Sequence, residues 1–172
     1  ITEANISYLK TSGIDLDASY RTELGNDSAL NLRLYVNYLD KFDTQLYAGQ
    51  PVAHYAGVNV VGSNPVAYPH WRGNFSVDYS KGNFGVTLSE QFIGGMRLGI
   101  PASPANQNFN GLRVNPIVYT DLTVRYTIPQ GDGNIELFGT VNNLLDKDPP
   151  LIPGITPGVN LPTNISTYDM IG

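Results

Sequence analysis

Apolar side chains return at every second position along most of this chain. Leu30, Leu32, Leu34, Val36 and Tyr38 hold one parity, and Asn31, Arg33, Tyr35 and Asn37 hold the other. A period of two puts the two sets on opposite faces of an extended strand. Between His70 and Ser80 the pattern recurs, with Trp71, Gly73, Phe75, Val77 and Tyr79 on the apolar parity. From Asn83 to Ile93, Phe84, Val86, Leu88 and Phe92 alternate with Gly85, Thr87, Ser89 and Gln91, and Glu90 is the one charge on the apolar side. Leu122, Val124, Tyr126 and Ile128 continue it, and upstream so do Ile14, Leu16, Ala18 and Tyr20. The stretch from Ile135 to Leu145 is weaker, because Phe138 falls on the polar parity. Six strands are predicted, and Tyr168–Gly172 reads as the opening of a seventh.

The connections predict how these strands are arranged. Leu24-Gly25-Asn26-Asp27, Ser80-Lys81-Gly82-Asn83 and Pro129-Gln130-Gly131-Asp132-Gly133-Asn134 are short and rich in residues that tolerate positive φ, as hairpin turns require. The intervening connections, 41–69, 94–117 and 147–167, are far longer and carry no strand pattern. Short and long alternate, so an up-and-down meander puts every short turn at one end and every long loop at the other. Long structureless loops are uncommon in compact soluble domains, whereas membrane β-barrels have this asymmetry. Ten residues at ~3.3 Å each and a tilt of ~45° cover about 24 Å, close to the ~25 Å apolar band of such a barrel. Tyr20, Tyr79, Tyr126 and Phe84 flank the short turns on the apolar face, where an aromatic girdle would lie.

Composition narrows the options. Charged residues make up 15% of the 172, and Gly (18), Pro (12) and Tyr (11) are abundant, a balance that suits many short strands and turns. The net charge is −5 with no Lys/Arg cluster, which excludes a nucleic-acid partner of the usual basic kind. Without cysteine there is no disulfide framework and no thiol nucleophile. No apolar run approaches the ~20 residues of a membrane helix. Ile1 and the closing Met170-Ile171-Gly172 both read as cut points in something longer.

Candidate chemistry is sparse. Asp15 and Asp17 share a strand face, as a glycosidase pair would, but every polar face here is similarly decorated and a wet lumen explains them. Asp146 and Asp148 lack calcium-loop spacing and read as a strand-ending turn beside Pro149-Pro150. His54 and His70 would need a Ser or Thr nucleophile, and no G-x-S-x-G elbow is present. Gly131-Asp132-Gly133 lacks the helix and Lys of a phosphate loop. Sequons stand at Asn5, Asn26, Asn74 and Asn164, and Asn74 falls mid-strand. The loops 57–65 and 102–110 are of a composition that could touch ligand, without singling out a residue. No catalytic, metal or cofactor residue is expected.

Three segments carry a family resemblance. Thr11-Ser12-Gly13-Ile14-Asp15-Leu16-Asp17-Ala18-Ser19-Tyr20 is similar to a "G-(I/V)-(D/E)…Tyr" strand, and Tyr68-Pro69-His70-Trp71-Arg72 to a "P-x-W-R" strand entry. Phe138-Gly139-Thr140-Val141-Asn142-Asn143-Leu144-Leu145-Asp146-Lys147-Asp148-Pro149 resembles a "V-x-N-L-(F/L)-D-(K/R)-x-P" segment before the last strand. In order and extent they resemble the C-terminal barrel region of TonB-dependent outer-membrane receptors. The resemblance implies an all-β, antiparallel up-and-down meander of about seven strands over residues 1–172, part of a transmembrane barrel of about 22 strands around a plug. It also implies a bacterial outer-membrane location, no enzyme activity, and energy-coupled import of a siderophore, cobalamin or saccharide. The implied partners are outer-membrane lipid, the rest of the barrel and its plug, TonB through a region not in this sequence, and a small-molecule nutrient. Isolated, such a piece would expose an apolar face and two sheet edges and is expected to self-associate. A porin segment would share the alternation, and a soluble β-sandwich binding module would bury one face against a second sheet.

Overall fold

The computed structural model describes residues 8–60, 66–100, 107–153 and 160–162. In chain order the strands are β1 (Tyr8–Gly25), β2 (Ser28–Gln45), β3 (Ala53–His54), β4 (Val58–Val60), β5 (Ala67–Tyr68), β6 (Trp71–Lys81) and β7 (Phe84–Ile93). There follow β8 (Met96–Ile100), β9 (Gln107–Val114), β10 (Ile117–Gln130), β11 (Gly133–Val141), β12 (Leu151–Pro153) and β13 (Asn160–Pro162). The main sheet runs β1-β2-β6-β7-β10-β11, antiparallel throughout, with β3 added to the far end of β2. This is the expected meander. The seventh strand anticipated at 168–172 lies outside the described residues.

Register follows the hydrophobic pattern. Across one row, Tyr20 pairs Leu32, Leu32 pairs Val77, Val77 pairs Leu88, Leu88 pairs Leu122 and Leu122 pairs Val141. Because partners in a ladder share a face, every apolar set lands on the same side of the sheet, and a slip of one residue would scatter it. The short turns fix this register. Asn26 and Asp27 both have positive φ (51° and 55°) between the paired Gly25 and Ser28, the two-residue turn whose twist matches the strands. Gly82 and Gly131 open the other two with φ 53° and 57°.

β1 and β2 are each 18 residues long, well beyond the ten or so that the alternation marks. The extension begins at a bulge: Gly13 pairs Leu39 while Ser12 pairs Lys41, which leaves Asp40 as the extra residue. Its carboxylate accepts a hydrogen bond from Ser12 Oγ at 3.0 Å. A side chain at position 13 would collide with the Tyr38 carbonyl, so the glycine of the first family-like segment permits the close approach here. A bulge also reverses parity, which turns Phe42 to the concave side, where its ring meets Tyr68 (centroids 4.7 Å apart) and Tyr55 (5.6 Å).

The long connections are not structureless, contrary to expectation. They supply a second sheet in the order β5-β4-β8-β9, in which β4 and β8 run parallel, and β12 pairs with β13. β4, β5 and β8, at two to five residues, are too short to show a period, but part of what the sheet carries is buried. Met96, Leu98, Val114 and Ala67 form the buried cluster with Ile93 and Tyr119 of the main sheet. Ile93 and Tyr119 lie on the polar parity, so this sheet caps the polar face at the long-loop end.

The opposite face is bare. Ile14, Leu16, Tyr20, Phe75, Phe84, Phe92, Val124, Tyr126 and Leu137 are exposed although they belong to one contiguous apolar surface. No described element packs on it. Among the described residues no helix is long and apolar enough to cross a membrane, which says nothing of a crossing by strands.

Candidate functional site

The chemistry lies on the polar, concave face and in the sheet that caps it. Alternation sets this face, since each inward position is the neighbour of an outward apolar one. Asp15 accepts hydrogen bonds from Asn37 Nδ2 (2.7 Å) and Tyr35 Oη (3.2 Å) across the β1–β2 ladder. Asp78 accepts from Thr87 Oγ1 at 2.7 Å and pairs with Arg125 at 2.8 Å, which ties β6, β7 and β10 together. Thr123 and Thr140 share a hydroxyl bond at 3.0 Å between β10 and β11. Asp17, Arg33, Tyr35, Asn74, Gln91 and Asp121 border a concavity of ≈ 540 Å³. This is a hydrophilic wall cross-linked strand to strand, with the carboxylates held as acceptors.

The residues singled out from sequence separate accordingly. Asp15 is committed to Tyr35 and Asn37, and Asp17 borders the concavity. His54 Nδ1 lies 2.7 Å from Asp43, pinning β3 to the end of β2. His70 donates Nδ1–H to the Leu39 carbonyl at 2.6 Å, which holds the entry to β6 against β2. The two histidines bond to different partners, and neither is brought to a Ser or Thr hydroxyl among the described residues. Gly131-Asp132 forms the β10–β11 hairpin. Asn74 lies within β6 and Asn26 in the first turn; Asn5 and Asn164 fall outside the described residues. Among the described residues no group of three or more His, Cys, Asp or Glu is placed to hold a metal ion.

Asn143 explains the third family-like segment. It is buried and takes φ 48°, a left-handed conformation that Asn tolerates better than most residues. Its Oδ1 accepts from Lys147 N (2.9 Å), its Nδ2 donates to Lys147 O (3.1 Å), and its own N–H donates to Asp121 at 2.8 Å. Asp146 follows with φ 49°. The asparagine thus ends β11 in a tight knuckle while Leu144 N–H still reaches the Thr120 carbonyl. The turn expected at Asp146–Pro149 is this knuckle.

One feature of the cap was not singled out from sequence. Arg97 of β8 and Arg113 of β9 stand directly opposite one another, and both border a second concavity of ≈ 510 Å³ with Gly57, His70 and Asn115. Only the register of two loop strands brings them together. The absence of acidic residues around them in sequence was the available signal.

The family model described as TonB dependent receptor-like, beta-barrel matches residues 2–144. No curated protein and no solved structure matches the chain.

Proposed function

Because the chain belongs to the TonB-dependent receptor-like β-barrel family, whose role is transport across the outer membrane, we propose that it forms part of the wall of a receptor importing a scarce nutrient. One observation carries the reading: a single apolar face spans six strands uncovered, while the second sheet packs on the polar side. A soluble sandwich would do the reverse, covering the apolar face with its second sheet. Lipid is the occupant that suits an apolar surface whose inner strands are each paired on both sides.

Among the described residues the outer edges of β1 and β11 are unpaired, and further strands are to meet them, since about eight is the smallest number that closes a barrel. The chain is then the C-terminal part of a larger barrel, with the short turns periplasmic and the capping sheet at the extracellular mouth. The concave wall faces the plug, and the nutrient is of the siderophore, cobalamin or saccharide class. Its import is coupled to TonB, and the chain catalyses no covalent chemistry. Cells with and without functional TonB, expressing the receptor, would be grown on single members of each class as sole source of iron, cobalamin or carbon. TonB-dependent growth on one class supports the proposal. Equal growth in both strains on every class overturns it.

A further inference from the structure

The charge of the capping sheet departs from that of the chain. Overall the protein carries 15 acidic and 10 basic residues, but no Asp or Glu occurs between Thr44 and Val77 or between Gln91 and Thr120. The strands of the cap fall within these two stretches and carry Arg97 and Arg113, while Arg72 lies near them on β6 of the wall. The cap is therefore cationic in a protein that is anionic as a whole.

Within it, Arg97 and Arg113 are cross-strand partners. Directly opposed side chains have Cβ atoms about 5 Å apart, and like charges at that position destabilise an antiparallel pair. The register is nonetheless held. Met96 and Val114, the adjacent pair, point to the other face and are buried against Ile93 and Tyr119. A slip that separated the arginines would expose that core. Both arginines are exposed, and the ion pairs formed among the described residues, His54–Asp43 and Arg125–Asp78, involve neither. The pair borders the ≈ 510 Å³ concavity opposite His70. Gly57, with φ +74°, leaves room for that imidazole, since a Cβ there would lie 2.5 Å from Nε2.

We propose that this concavity binds an oxyanion, a carboxylate or phosphate group of a ligand, held by the forks of Arg97 and Arg113. An anion turns a repulsive pair into two charge-assisted contacts of the bidentate kind for which guanidinium is suited. Such a group could come from a soluble ligand or from the phosphates of lipopolysaccharide. The position favours the first, because the arginines lie on the cap face turned away from the wall, and the wall separates the cap from lipid. Calling the ligand a transported nutrient rests on the function proposed above. The anion site itself does not.

The test is calorimetric titration of the intact receptor in non-ionic detergent with citrate and with inorganic phosphate, alongside thermal unfolding. Wild type and Lys81→Gln, a change at a remote turn, should bind alike, with affinity falling as NaCl rises. Arg97→Gln and Arg113→Gln should each weaken binding by about tenfold or more. In anion-free buffer Arg113→Gln should melt above wild type, since the repulsion is gone. Citrate should then raise the wild-type midpoint and leave the variant's unchanged, which also shows that the variant is folded. Equal binding by wild type and both arginine variants, or no binding of either anion by wild type, overturns the site. A midpoint shift given by lipopolysaccharide alone overturns the soluble source. No anion binding by wild type with TonB-dependent growth intact counts against this inference alone; growth independent of TonB with wild-type binding intact counts against the transport reading alone.

Discussion

Leu88→Arg places a guanidinium in the middle of the bare face. Leu88 lies on β7, paired on one side with Val77 and on the other with Leu122, so its surroundings are sheet rather than edge. At ~3.3 Å per residue and a tilt of about 45°, the four steps from Phe84 to Leu88 climb roughly 9 Å from the short-turn end. That is near the centre of a ~25 Å apolar band, where an arginine facing lipid costs about 2–4 kcal/mol. Phe84→Arg, beside the turn, should cost about 0–1 kcal/mol by the same depth dependence. Ser89→Arg, one residue from Leu88 but turned to the concave face, should cost close to nothing. The assay is guanidinium unfolding of the receptor refolded into phosphocholine vesicles, comparing free energies at a common slope. The reasoning is refuted if Ser89→Arg costs as much as Leu88→Arg, or if Phe84→Arg does. The first outcome would mean that the two faces are alike, the second that depth along the strand does not matter.

Other expectations follow from single contacts. Asn143→Ala removes two side-chain hydrogen bonds and strains a left-handed residue, for about 2–3 kcal/mol; Asn143→Gly, which keeps the conformation, should cost about half as much, and equal losses by chemical unfolding would contradict the account. Gly57→Ala meets the His70 ring from a positive φ, so limited proteolysis should speed up within the capping loops while the wall stays folded. Thr120→Val leaves Glu90 without its hydroxyl donor at 2.9 Å on the apolar face, and unfolding should register a loss of about 1–3 kcal/mol that Glu90→Gln in the same background relieves. Burial, with the Tyr55 phenol beside it, raises the Tyr68 phenol above its ordinary value, so its contribution is present below the unfolded pKa of ~10 and is lost as pH rises through the higher folded value. Amide protection around Tyr68 should therefore fall above about pH 10 in wild type and less steeply in Tyr68→Phe; an unchanged fall in the variant would reject this.

The wall was legible because one signal repeats in it. Residues such as Leu30, Leu32 and Leu34 state a period of two, Asn26-Asp27 and Gly131-Asp132 state the turns, and antiparallel neighbours in sequence become neighbours in space. Even the weak strand with Phe138 on the polar parity is placed as its pattern says, opposite Arg125. The capping sheet was not legible, for two physical reasons. Val58-Asn59-Val60 is too short to show a period, and its parallel pairing with β8 joins segments far apart in sequence. The bulge at Asp40 was hidden too, since a single inserted residue only appears as a break in alternation that a loop would also produce. Hence Phe42 and the Arg97–Arg113 pair, which depend on that bulge and on that sheet, come from the structure. Asn143 lies between: its motif was visible, and its reason is the knuckle.

The medium that meets the apolar face separates a lipid-facing wall from a face packed in a protein core. With no native cysteine, single cysteines at consecutive positions from Leu30 to Tyr38 in the intact receptor can carry a fluorophore, read against a lipid-borne quencher. Quenching at positions 30, 32, 34, 36 and 38, with none at 31, 33, 35 and 37, is the predicted result. No quenching at any position, or quenching without alternation, would contradict a lipid-facing wall.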